Sequence, residues 1–206
     1  MILPDSNLKK RLAILASGAG SNARNLIENL KGSDKAEVVL VLTNRKHSGV
    51  LNVAEENDIN ALCVGGQDLS REGVLLGILN AHDVDAVVLA GFLLQIPEDV
   101  IKHFEGKMVN VHPSLLPAYG GRGMYGQFVH EAVFANKEKQ SGITIHLVNE
   151  HYDEGKVLFQ ARVDIDTNDN VEVIERKVRE LEIRHFPAVV VKWVTEMDSA
   201  KNSQTV

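Results

Sequence analysis

The first 112 residues repeat one unit: a short, continuously apolar run, then a stretch with helical spacing. The apolar runs are "RLAILAS" (11–17), "EVVLVLT" (37–43), Ala61–Val64, "DAVVLAG" (85–91) and "KMVNV" (107–111). Between them lies "SNARNLIENL", with Ala23, Leu26, Ile27 and Leu30 on one helical face. A helix around 48–57 follows the second run. "SREGVLLGILNAH" (70–82) reads as a helix with Ser70 as N-cap, and "PEDVIKHF" as one opened by Pro97. Strands without polar alternation must be covered on both sides. The repeat therefore predicts an α/β fold: a Rossmann-like, open, twisted, mostly parallel sheet with helices on both faces.

After His112 the character changes. Residues 113–127 read as a loop and "FVHEAVFANK" as a helix. "GITIHLVN" (142–149) and "KVLFQARVDI" (156–165) alternate like paired strands, so the C-terminal half should carry a mixed sheet. Residues 171–197 form a long helical pattern, with Val171, Ile174, Val178, Leu181 and His185 in one stripe. Pro187 should kink or break it. We expect one domain over 1–206, with a phosphate-binding half at 10–112 and a catalytic half at 113–198. Residues 1–9 and the tail "SAKNSQTV" read as loosely held ends.

Composition narrows the function. The net charge is −6, with 22 basic against 28 acidic residues, which argues against nucleic acid as a partner. No run approaches the ~20 apolar residues of a membrane span, and no targeting pattern is visible. A lone cysteine, Cys63, excludes a disulfide within the chain. That fits a cytoplasmic setting, with Cys63 as a core thiol on a short strand.

Three stretches carry chemistry. "SGAGSN" (17–22) falls in the first strand-to-helix turn, where Gly18 and Gly20 bare backbone N–H groups and the helix start adds positive charge. The stretch is either an anion cradle or a plain glycine turn. Thr43 and Asn44 stand where a dinucleotide fold would want a ribose-binding acid, so a single phosphate suits it better. In "VNVHPSLLP" (109–117), Asn110 and His112 share one face of a strand, at the carboxyl end where such sheets bind ligands. An Asn can donate to an oxygen gaining negative charge, and a His can carry a proton. An isolated Asn-x-His is more often a satisfied strand end, and most of the eight histidines must be bystanders. In "EHYDEGKVLFQ" (150–160), Asp153 is either turn chemistry or, if the turn overhangs the sheet, a carboxylate that orients His112 and favours its protonated form. His146, His151 and Asp153 match no familiar zinc spacing, and no metal is expected.

Together "SGAGSN", "NVHPSLLP" and "YDEGKVLFQ" resemble the phosphoribosylglycinamide formyltransferases, the glycinamide ribonucleotide branch of the formyl-folate transferase superfamily. The resemblance runs from about residue 10 to about 195. It implies formyl transfer in purine synthesis, from 10-formyltetrahydrofolate to the amine of glycinamide ribonucleotide, by a monomer or homodimer. It also implies Asn110, His112 and Asp153 as the catalytic set and Gly20, Ser21 and Asn22 as the phosphate loop. Glu182 would hold the ribose hydroxyls. Arg179, where relatives have Gln, lies one turn away and either faces the same ligand or forms a surface ion pair. The folate would lie against Phe92, Leu93, Leu94, Gln95 and Ile96 and against the loop holding Val148, Asn149 and Glu150. Leu94 stands where many members have Arg, and "GGRGMYGQFVHEAV" where many have a His-rich run. A cis peptide at Leu116–Pro117 is implied as well. Methionyl-tRNA formyltransferases and formyl-folate hydrolases share the strand-end motif. The former would be expected to add a C-terminal tRNA domain and a more basic surface, the latter an N-terminal regulatory domain. A non-catalytic nucleotide-binding module is the other alternative.

Overall fold

The computed structural model describes residues 9–202, with side chains to residue 197. Seven strands form one sheet in the order β3-β2-β1-β4-β5-β6-β7. They are β1 (Lys10–Leu15), β2 (Ala36–Thr43), β3 (Asn60–Cys63), β4 (Ala86–Leu89), β5 (Met108–His112), β6 (Gln140–Leu147) and β7 (Val157–Asp164). The first five pair in parallel, and β6 and β7 run antiparallel at one side. This is the mostly parallel sheet with mixed C-terminal strands that the apolar runs predict.

Both faces are covered, and the period of 2 divides the core. Leu12, Ile14, Val41, Val88 and Val109 point to one side, under α1 (Ser21–Leu30), α2 (Val50–Glu55), α6 (Gln127–Ala135) and α7 (Val171–Asn202). Ala13, Leu15, Leu40, Leu42, Val87 and Met108 point to the other, under α3 (Gly66–Leu69), α4 (Val74–Ala81) and α5 (Glu98–His103). The alternate residues are almost all fully buried, which is why the strand sequences show no polar positions.

Several local expectations are corrected. Cys63 is exposed, because β3 is an edge strand of four residues with little laid over it. Ser70 does not cap the 70–82 helix. That segment splits, with Ser70 ending α3 through a bond to the Gly66 carbonyl and Gly73 starting α4. Pro187 does not break α7, which runs through it. The helical stripe survives there because Ile174, Val178, Phe186 and Val190 stay buried on both sides of the proline. The helix also takes in Ser199–Asn202 of the supposed loose tail, whereas 1–8 and 203–206 lie outside the described residues. Leu116–Pro117 is cis, as the resemblance implies.

The order β2-β1-β4-β5 makes a switch point beside β1. Chain leaves β1 toward β2 on one side, and β4 lies on the other. A crevice opens there, above the carboxyl ends of the strands.

Candidate active site

A cavity of about 410 Å³ fills that crevice. Its floor is the end of β5. Asn110 and His112 both face it, and His112 is 4 % exposed. The β6–β7 turn overhangs the same floor. Asp153 there adopts a left-handed conformation (φ 58), and a side chain at Gly155 would collide with the Leu147 carbonyl. This tight turn brings the Asp153 carboxylate over β5. Its Oδ2 lies 3.5 Å from Nδ1 of His112 and accepts the Gly121 N–H at 2.9 Å. The geometry that only a favourable overhang would give is therefore present.

A residue that sequence reasoning set aside joins them. His146 on β6 pairs in register with Asn110 on β5. Its Nε2 is 3.1 Å from Nδ2 of Asn110 and 3.5 Å from Oδ1 of Asp153, and its Nδ1 is 2.9 Å from the Leu147 carbonyl oxygen. It fixes the Asn110 amide. The only sequence signal was its alternation on a strand, which cannot reveal a partner across an antiparallel ladder. Among the described residues, no group of three or more His, Cys, Asp or Glu is arranged to hold a metal ion.

The two ring nitrogens of His112 both face oxygen, since Nε2 is 2.8 Å from the Tyr119 carbonyl. Either neutral tautomer leaves one lone pair against an acceptor, so this contact set favours the imidazolium. Burial opposes it more strongly. The His112 pKa lies below 6.5, with burial outweighing the pull of Asp153 and the Tyr119 carbonyl. The expected support from the carboxylate is there, but the free protein holds His112 neutral at pH 7. Burial pushes Asp153 up, but His146, the nearby His112 and the Gly121 N–H outweigh it and hold its pKa below 3.8.

The exit from β5 is tied down from β6 and β7. Thr144 donates to the Ser114 carbonyl, accepts the Leu116 N–H, and accepts an N–H of Gln160, which also bonds the Leu116 carbonyl. Ser114 Oγ donates to the Ala118 carbonyl at 2.6 Å. The bend after Asn110 and His112 is thus a fixed strut.

At the other end of the cavity lies the glycine turn. Gly20 (φ 84) precedes α1, and no side chain caps it. A Cβ there would stand 2.8 Å from the Val50 Cα. Ser21 and Asn22 open the helix and line the cavity. Asn22 donates through Nδ2 to Oε2 of Glu182 on α7, at 2.8 Å. Burial raises the Glu182 pKa above 4.5, against the Asn22 amide and the Arg179 charge, which lower it. Arg179 lines the same wall but is ion-paired with Glu175, one turn earlier on α7.

The remaining wall is apolar. Phe92, Leu93, Leu94 and Ile96 line it below Val148, with Gln95, Asn149 and Glu150 beside them. The Leu93 N–H donates to Ser17 Oγ at 3.0 Å, which joins this wall to the glycine turn. Every site residue named from the sequence therefore borders one cavity.

The formyl transferase family model matches residues 10–190, which contain all of these elements. The chain belongs to that family. The phosphoribosylglycinamide formyltransferase of Bacillus subtilis is 31% identical over 186 residues, 88% of this chain and 93% of that one. The chloroplastic enzyme of that name from Arabidopsis thaliana is 38% identical over 198 residues, 90% of this chain and 68% of the longer plant protein. A crystal structure of the phosphoribosylglycinamide formyltransferase from Bacillus halodurans superimposes with a TM-score of 0.83, at 30% identity, covering 91% of this chain and 97% of the other. Among the described residues, no helix of this formyl transferase family member is long and apolar enough to cross a membrane.

Proposed function

We propose that this chain transfers the formyl group of 10-formyltetrahydrofolate to the amine of glycinamide ribonucleotide, in purine biosynthesis. One observation carries the reading: a cluster suited to acyl transfer and an uncapped helix start occupy the two ends of a single cavity, with an apolar wall between them.

The residues fit both substrates. The Leu93–Ile96 wall and Val148 offer an apolar slot for a flat pterin, and the 18–22 turn offers backbone N–H groups to a phosphate. Held between them, the amine nitrogen meets the formyl carbon. As the new C–N bond forms, negative charge collects on the formyl oxygen. Asn110 Nδ2 donates to that oxygen, its amide held in place by His146. His112, neutral beforehand, takes the proton the amine loses and returns it to the folate nitrogen as the old C–N bond breaks. To do so its Nε2 exchanges the Tyr119 carbonyl for substrate. Asp153 stabilises the imidazolium formed in between. The products are formylglycinamide ribonucleotide and tetrahydrofolate, with no net proton change. The protein's contribution is positioning and charge placement.

A spectrophotometric formyl-transfer assay tests this, with glycinamide ribonucleotide as acceptor and free glycinamide or water as controls. Tetrahydrofolate should appear rapidly only with the ribonucleotide. Equal release with water alone would make the protein a hydrolase instead.

A further inference from the structure

We propose that His130 on α6 is a phosphate-binding residue of the amine-substrate site, acting with Arg179 and the α1 helix start. This inference rests on the formyl-acceptor reading above. His130 lines the cavity and is 4 % exposed. Its ring makes no hydrogen bond to any described residue, and Nδ1 is buried without a partner. A buried imidazole bonded at neither nitrogen is uncommon, and this one borders the cavity with its second nitrogen outside the sealed region. With Nδ1 sealed off, Nε2 is the ring nitrogen that a ligand can meet without turning the ring.

The neighbours indicate which ligand. Asn22 Oδ1 is likewise buried without a partner, beside the Glu182 carboxylate. The carboxylate is an acceptor on the cavity wall, and it suits sugar hydroxyls. The groups left to donate are the N–H groups at the α1 start, the Arg179 guanidinium and the His130 ring. Donors from three separate elements around one cavity suit a phosphate monoester. The charged or titratable groups that act on His130 are Glu175 and Arg179 from α7 and His112 from β5. Burial, with Arg179 and His112, outweighs Glu175 and keeps the free imidazole neutral at pH 7. A phosphate dianion arriving beside it reverses that balance, so binding takes up a proton.

Calorimetric titration in buffers of different ionisation heat tests this, using glycinamide ribonucleotide, its dephosphorylated riboside and ribose 5-phosphate. Wild-type protein should take up a proton at pH 7 with both phosphorylated ligands and none with the riboside. His130→Ala should abolish that uptake and weaken both phosphorylated ligands about tenfold or more, the usual cost of a lost bond to a charged group. It should leave riboside and folate binding unchanged. His130→Gln, which keeps the volume and a donor, should recover part of the affinity but not the proton uptake. Equal weakening of riboside and ribonucleotide, or uptake that persists in both variants, would overturn the assignment. If ribose 5-phosphate binds in a His130-dependent way while glycinamide ribonucleotide is not formylated, His130 stands and the formyl-acceptor reading fails.

Discussion

Asn22 and Glu182 lie 160 positions apart in sequence and meet through a 2.8 Å hydrogen bond. That bond joins the start of α1 to the middle of α7 at the rim of the cavity. Its acceptor is a carboxylate that burial makes reluctant to ionise. A folded-state pKa raised above the unfolded value means the native protein holds the proton more tightly. The corresponding stability is fully present below about pH 4.5 and is lost as pH rises through the folded pKa. Glu182→Gln avoids that loss and retains an acceptor for Asn22. Its melting temperature should exceed wild type by a few degrees (~2–4 °C) at pH 7 and match it near pH 4. Its KM for the ribonucleotide should rise, because a neutral amide grips hydroxyls less well. Thermal melts across pH together with KM measurements check both halves.

Asn110→Ala and His112→Ala should each lower kcat by roughly 10²–10⁴, the range for losing an oxyanion donor or an acid–base group. Binding of the ribonucleotide, measured by titration, should hardly change. Near-normal turnover in either variant would remove that residue from the mechanism.

His112 sets a pH limit. Its folded pKa lies below 6.5, so kcat/KM should be flat near neutrality and fall on the acid side with a midpoint below that value. Asp153 raises the imidazole pKa in the native protein. Asp153→Asn should therefore move the acid limb further down while reducing the plateau. An upward shift would mean the carboxylate does not act on His112.

His146→Ala frees the Asn110 amide without removing it. We expect kcat to drop by about tenfold, less than in Asn110→Ala, with KM for both substrates little changed. The double variant should be scarcely worse than Asn110→Ala alone, since the His acts through the Asn. Additive losses would show an independent role.

Gly20→Val tests the cradle. The positive φ and the nearby Val50 backbone leave no room for a branched side chain. Ribonucleotide binding should weaken strongly while folate binding persists, as read by two separate titrations. Parallel loss of both would indicate a general disturbance of the fold.

The sequence alone determined the sheet, because period and burial are local properties of each strand. Runs such as Leu12–Leu15 and Ala86–Leu89 have no polar residue to spare for solvent, and strands of that kind fit only a sheet covered on both faces. It also placed the candidate site residues at the carboxyl ends of strands, since Asn110 and His112 end β5 and Gly20 follows β1. The tertiary structure decided what the chain could not state locally. Whether Cys63 is buried depends on which strand forms the sheet edge, and whether Pro187 breaks a helix depends on packing on either side of it. His146 and His130 could not be told from the other histidines, because their significance lies in partners. One is matched across a ladder to Asn110, and the other is matched to nothing in the protein. Hydrogen-bond completion is a property of three-dimensional neighbours, and only the folded chain shows which polar groups are satisfied within it and which are not.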